Sequence, residues 1–219
     1  MDLTLHGYFR SSCSWRVRIA LHHKGLSWED VSVHLVKDGG QQHAEEHRAL
    51  NPMREVPVLF VDGEPLAQSM AILEFLEETH PEPAMLPSDP VARARVRQLA
   101  ECINAGIQPV QNLRVMQHLA REHGWEKPAT IEWSRYWIHR GFEALERLAS
   151  QHSGTCLVGD SISIADACLV PQMYNARRFN VDLAAFPTLV GVDERLTALP
   201  AFAQTHPSCQ PDTPDELRA

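Results

Sequence analysis

Nothing in this chain is long and apolar enough to suggest a membrane span: its longest apolar stretch, Ile162–Pro171, is interrupted by Asp166 and falls well short of the ~18–20 residues that a spanning helix needs. An excess of positive charge is also missing. Lysine and arginine total 20 against 28 acidic residues, a net charge of −8, so there is no basic field to hold a nucleic-acid backbone or an anionic lipid surface. Cysteine is sparse. Cys13, Cys102, Cys156, Cys168 and Cys209 are odd in number, scattered and without a C-x-x-C pair, which is the pattern of reduced thiols rather than of a disulfide frame. The opening Met1–Phe9 carries no basic stretch ahead of an apolar run, and the expected location is cytoplasmic. His43 and His47 stand four apart, but Ala44 occupies the place where a zinc-protease helix needs glutamate, so no metal is expected.

What the chain does have is a change of character between residues 80 and 90. Before it, strand and helix patterns alternate. Leu3 and Leu5 alternate with polar neighbours as a strand ending near Gly7–Tyr8, and Trp15–Lys24 carries Val17, Ala20 and Leu21 at helical spacing before Gly25. Val31, Val33 and Leu35 read as a second strand, and Gln41–Leu50 as a helix-permissive stretch cut by Asn51-Pro52. Val58–Val61, the Asp62-Gly63 turn and Glu64–Ala67 read as a hairpin; Ser69–Glu78 follows as an amphipathic helix with Ile72, Leu73, Phe75 and Leu76 inward. The predicted order is β-α-β-α-β-β-α. Prolines 81, 83, 87 and 90 then mark a boundary. Helical patterns follow over Val91–His123, Pro128–Gln151, Ile164–Phe179 and Leu189–Leu199, and prolines 207, 211 and 214 indicate an irregular tail. The expected division is an α/β domain over residues 1–83 and an all-α domain over 90–219.

Candidate chemistry gathers at element ends in the first domain. Arg10-Ser11-Ser12-Cys13-Ser14 lies where the first strand hands over to the first helix; unpaired N–H groups and a partial positive charge there push a hydroxyl or thiol toward its anionic form. Ser12 or Ser14 equally suits an N-cap. Glu55-Val56-Pro57 enters the third strand, where a cis Val56–Pro57 bond would turn backbone N–H and C=O outward to pair with an extended peptide. Gln68-Ser69 opens the next helix, a position suited to a carboxylate. Ser163-Ile164-Ala165-Asp166 has the spacing of a capping box and is read as structural.

The runs FRSSCSWRVRIAL (Phe9–Leu21) and ALNPMREVPVLFVDG (Ala49–Gly63), the Gln68-Ser69 pair and the terminal QPDTPDELRA resemble the zeta class of glutathione transferases across essentially the whole chain. The resemblance implies a thioredoxin-like N-terminal domain, an all-helical C-terminal domain, a homodimer and glutathione as cofactor. It places Ser11, Ser12 and Cys13 beside the glutathione sulfur, Ser11 being the first candidate to stabilise the thiolate and Cys13 an accessory. It pairs Val56 with the cysteinyl backbone, sets Gln68 and Ser69 at the γ-glutamyl end and Gln42 on the glycyl side, and adds Gln108 and Asn112 from the second domain. Arg114 departs from the serine of animal members. Arg178 matches the carboxylate-binding arginine of the class; Arg10 and Arg178 are the candidates for the two substrate carboxylates, since a guanidinium fork suits bidentate binding, and Arg177 is expected to be solvated. The activity implied is glutathione-dependent cis–trans isomerisation of maleylacetoacetate. Maleylpyruvate isomerisation, transfer to α-halo acids and a non-catalytic binding module are the alternatives, and a glutathione oxidoreductase would depend on Cys13.

Overall fold

The computed structural model describes residues 1–218. Two compact units separate: Met1–Met85 together with the chain from Leu199 onward, and Leu86–Ala198. The tail that the sequence pattern assigned to the helical domain therefore packs with the first unit. Trp15 Nε1 donates to Thr205 Oγ1 at 3.0 Å, and the Trp15 ring meets His206 edge-on at 5.2 Å.

The first unit is built on β1 (Leu3–Gly7), α1 (Ser12–His23), β2 (Glu29–Ser32), α2 (Glu45–Leu50), β3 (Val58–Val61), β4 (Glu64–Ala67) and α3 (Ser69–Thr79). The sheet order is β2-β1-β3-β4, with β1 parallel to β2 and antiparallel to β3. Alternation in β1 buries Leu3, Leu5 and Gly7, the period-2 pattern of a strand with one face on a core. Helix α1 buries Trp15, Val17, Ile19, Ala20 and Leu21, along with the charged Arg16 and Arg18, so it is enclosed on nearly all sides. Strand β2 stops at Ser32, short of the predicted Leu35, although Val33 N still reaches Gly7 O at 2.7 Å. The Gln41–Leu50 stretch splits at Ala44, whose extended backbone (φ −60°, ψ 150°) separates a single turn, Gln41–His43, from α2. Lys24 Nζ closes the unit by donating to Glu77 Oε2 (2.7 Å), His80 O (2.7 Å) and Pro83 O (3.0 Å).

The second unit contains α4 (Pro90–Asn104), α5 (Leu113–His123), α6 (Lys127–Ala149), α7 (Ile164–Arg178) and α8 (Pro187–Thr197). Asp89 caps α4 by accepting from Ala92 N at 2.8 Å, with Pro90 at the first helical position. The helix predicted over Val91–His123 is broken between Ala105 and Asn112. Pro109 explains the break, since it has no N–H and disfavours helical geometry in the residue before it. The chain turns tightly there: an added Cβ at Gly141 of α6 would meet Ile107 Cγ1 at 2.2 Å. The tail adds α9 (Pro200–Ala203) and single turns at Pro207–Cys209 and Asp215–Leu217. No helix among the described residues is long and apolar enough to cross a membrane.

Candidate active site

The turn from β1 into α1 sets the first group of candidate residues. Ser11 is the N-cap, with extended backbone (φ −67°, ψ 119°), and its Oγ accepts from Ser14 N at 3.2 Å. The cap is thus neither Ser12 nor Ser14, and the helix starts three residues before the predicted Trp15. A serine hydroxyl accepting one bond keeps its own proton, so Ser11 both closes the helix and retains a donor. Ser14 is fully buried against β1, and Tyr8 N donates to its Oγ at 3.4 Å. Glycine at position 7 permits this approach, because a Cβ there would lie 3.3 Å from Ser14 Cβ and Oγ. Ser12 is buried and Cys13 half-buried. The first turn of α1 holds no acidic side chain, and among the described residues no group accepts from the Ser12 or Cys13 N–H. The positive end of the helix is left unneutralised.

Val56 meets this turn. The Val56–Pro57 bond is cis, and the Val56 side chain is buried with Tyr8, Phe9 and Val33, with Leu35 packed alongside. Among the described residues no group bonds to its main-chain N–H or C=O. The approach to it is fixed, since His47 Nε2 (3.0 Å) and Asn51 Nδ2 (2.9 Å) both donate to Glu55 O. Gln68 is exposed and carries a positive φ of 72°, a conformation that costs a non-glycine residue about 1–3 kcal/mol and clusters at functional sites. Ser69 is buried, and its Oγ accepts from Arg16 Nη1 at 3.2 Å, which links α1 to the start of α3. Gln42 is buried with Nε2 donating to Leu35 O at 3.2 Å and Oε1 without a partner. Arg10 is half-buried, its guanidinium 5.5 Å from the centre of the Phe9 ring.

Gln108, Asn112 and Arg178 belong to the second unit. Gln108 is half-buried in the break after α4 and Arg114 is exposed. Asn112 is the N-cap of α5; its Oδ1 accepts from Arg114 N at 3.3 Å. Trp133 Nε1 fixes this loop by donating to Val110 O at 2.7 Å. Arg178 is exposed at the end of α7, its guanidinium 4.6 Å above the ring of Phe179. Arg177 is exposed, as expected, and also pairs at 2.6 Å with the carboxylate of buried Asp193.

Sequence reasoning passed over three groups behind the β1–α1 turn. Arg18 is 2 % exposed and donates to Phe9 O (2.9 Å) and Tyr8 O (3.5 Å). Burial lowers its guanidinium to about 10, opposed by the charges of Asp30 and Asp212. Burial raises the Asp30 carboxyl. The available signal was a pair of arginines, Arg16 and Arg18, inside an otherwise apolar helical run, since charges are fully buried only when something compensates them.

Two family models match the chain: the N-terminal domain of glutathione S-transferase over residues 10–79 and its C-terminal domain over 134–200. Mouse maleylacetoacetate isomerase is 50 % identical over 214 residues, covering 98 % of this chain and 96 % of that protein. The holo structure of a bacterial zeta-class maleylpyruvate isomerase superposes with a TM-score of 0.93 at 40 % identity, covering 96 % of this chain and all of that one. The chain belongs to the zeta class of the glutathione S-transferase family. A further transferase relative, maleylacetoacetate isomerase from Anaeromyxobacter dehalogenans, carries dicarboxyethyl glutathione and citrate in its active site; it is 46 % identical, with a TM-score of 0.85 over 97 % of this chain and 99 % of that one. In the present chain the matched N-terminal domain runs from Arg10 through the cis-proline loop to α3, and the matched C-terminal domain includes Arg178. The thioredoxin-like and helical fold classes are those expected.

Proposed function

We propose that this transferase is a glutathione-dependent cis–trans isomerase that converts maleylacetoacetate to fumarylacetoacetate, acting as a cytoplasmic homodimer with an N-terminal glutathione-binding domain and a helical domain that lines the substrate site. The observation that carries the reading is the open end of α1: a serine cap with a free proton, uncapped N–H groups at Ser12 and Cys13, and no acidic residue in the first turn. This suits a thiolate. The unpartnered main chain of Val56 suits the cysteinyl backbone, and the strained Gln68 with Ser69 suits the γ-glutamyl end.

When bound, glutathione supplies a thiolate that adds reversibly to the conjugated alkene and leaves it single-bonded long enough to rotate. The chain's residues hold that anion and the substrate. Ser11 donates its hydroxyl proton toward the sulfur, Ser12 supports it, and Cys13 contributes its main-chain N–H. A thiol with a pKa near ~8.5 needs about 2.7 kcal/mol of differential stabilisation to titrate ~2 units lower, within reach of a hydroxyl bond, a helix end and a nearby arginine acting together. Gln42 presents its orphaned Oε1 as an acceptor, which suits the glycyl N–H rather than the glycyl carboxylate. Gln108 and the amide N–H2 of Asn112 contribute from the helical domain. Arg10 and Arg178 take the substrate carboxylates, since a planar fork matches a carboxylate.

The test is an absorbance assay of maleylacetoacetate and maleylpyruvate side by side, with and without glutathione. Conversion of maleylacetoacetate that stops without glutathione, with free thiol returned unchanged, is expected. A preference for maleylpyruvate would instead support the second reading, the activity named for the isomerase that superposes at 0.93. Stoichiometric loss of thiol would refute both and leave transfer to α-halo acids.

A further inference from the structure

Every main-chain polar atom of Tyr8 and Phe9, the two residues that lead into the Arg10–Cys13 segment, has a defined partner. Tyr8 N donates to Ser14 Oγ, and Tyr8 O accepts from Ser11 N (3.0 Å) and Arg18 Nη1. Phe9 O accepts from Arg18 Nη2, and Phe9 N donates to Asp212 Oδ2 at 2.9 Å. Three of these partners are local. Asp212 is not: it lies 203 residues away in sequence, in the tail that packs with the first unit.

Asp212 is itself held. The same Oδ2 accepts from Ser32 Oγ at 3.0 Å at the end of β2. On either side Gln210 and Thr213 are buried; Gln210 Nε2 donates to His206 O at 2.9 Å, and Thr213 Oγ1 donates to Pro207 O. Upstream, Thr205 takes the Trp15 indole N–H. The tail thus grips α1 at Trp15, the end of β2 at Ser32 and the turn at Phe9. A cleft lined by Tyr8, Arg18, Asp30, Ser32, Pro211 and Asp212 lies along this junction.

We infer that Asp212 is a positioning residue for the thiol site, acting through the Phe9 N–H and alongside Arg18 to hold the turn that presents Ser11, Ser12 and Cys13. The inference rests on the glutathione reading above. The physical case is the burial of Phe9: the whole residue is 2 % exposed, so its amide has little water to fall back on if Asp212 is lost, and an orphaned buried donor is costly. The turn relieves that cost only by moving, and Ser11 is two residues away. Arg18 adds to this, because removal of Asp212 strips one of the two carboxylates that offset its buried charge. A helix cap displaced by a fraction of an ångström still folds, but a donor aimed at an anion loses much of its effect.

The experiment joins amide hydrogen exchange with glutathione binding on the full chain. In the unmodified protein, without ligand, the Phe9 amide exchanges as slowly as the β1 amides; exchange as fast as an exposed loop overturns the inference, whatever the variants do. Asp212→Ala speeds exchange across residues 8–12 by tenfold or more with β3 and β4 unchanged. It also weakens glutathione binding, read by calorimetry, by about tenfold, and moves the pH midpoint of bound-thiolate absorbance upward. Asp212→Asn, which keeps an acceptor for Phe9, restores most of the affinity. An Asp212→Ala protein that unfolds at lower temperature but keeps the thiolate midpoint and glutathione affinity would show a structural role only and overturn the assignment. Unmodified protein that shows the slow Phe9 exchange yet binds no glutathione removes the glutathione reading instead.

Discussion

The starts of α1 and α7 are both marked by serine, and they are finished in opposite ways. At α7 the end is closed from within: Asp166, fully buried, accepts from Ser163 N (2.8 Å), Ser163 Oγ (2.6 Å) and Leu157 N (2.7 Å). At α1 the Ser11 cap accepts from Ser14 N and no acidic residue follows in the first turn. The same local chemistry therefore yields a structural joint where a carboxylate is built in and, on the function proposed above, an anion site where the carboxylate is withheld.

The largest effect expected is at the closed end. Asp166→Ala leaves two main-chain N–H groups and a hydroxyl buried without an acceptor, a loss of about 3 kcal/mol or more, visible in urea unfolding. Glutathione affinity of the folded fraction should stay unchanged; a parallel loss of both would break the contrast between the two ends. The pH dependence has a definite sign. Burial raises the Asp166 carboxyl to about 6 despite its three donors, so the folded state binds a proton more readily than the unfolded one. Its contribution is full below about 4 and is lost as pH rises through 6. Relative to Asp166→Asn, wild-type stability should fall across that window.

At the open end the expected loss is catalytic. Ser11→Ala should cost about 1 kcal/mol of stability as a lost cap, but turnover should fall by roughly 10²–10³-fold, the range for losing one donor to a developing anion. A loss confined to stability would reduce Ser11 to a cap like any other.

How much of this was readable beforehand follows the range of the interactions. The alternation of Leu3 and Leu5, the Asp62-Gly63 hairpin and the Ser163–Asp166 box are local patterns, and each appears where predicted. The cap at Ser11 was missed because three serines within four positions all satisfy the cap preference, and only the backbone angles choose among them. The break at Pro109 was passed over because apolar spacing continues across it. Arg18 and Asp212 were unreadable for a deeper reason: a pair 194 residues apart leaves no periodic trace, and a tail rich in proline looks irregular until its partners are known. The motifs at the element ends are legible in the sequence, whereas the frame behind them is not.

The far end of α7 gives a smaller expected effect. Arg177 pairs with Asp193 and Arg178 is exposed over Phe179, and Arg178 is the residue proposed above for a substrate carboxylate. Arg178→Ala should raise KM for diacids by about 1.5–3 kcal/mol in equivalent terms with glutathione affinity unchanged. Lysine there should rescue only in part, since a point charge does not copy the fork. Equal weakening of glutathione binding, measured by calorimetry on folded protein, would take Arg178 out of the substrate site.

The smallest effect is expected one residue inside the open end, and it separates two chemistries that the sequence alone allows. Cys13 is half-buried in the first turn of α1 and forms no disulfide. No second cysteine stands near it in sequence, the next being Cys102, so it has no local resolving partner. Its contribution to the proposed reaction runs through its main-chain N–H, which alanine retains. Cys13→Ala should therefore leave turnover within about threefold of wild type, far less than the loss at Ser11, and the unfolding midpoint close to unchanged. If the order were reversed, with Cys13→Ala abolishing activity and Ser11→Ala sparing it, the side-chain thiol would be the central group, the open helix end would be activating a protein nucleophile rather than a bound one, and an oxidoreductase would replace the isomerase.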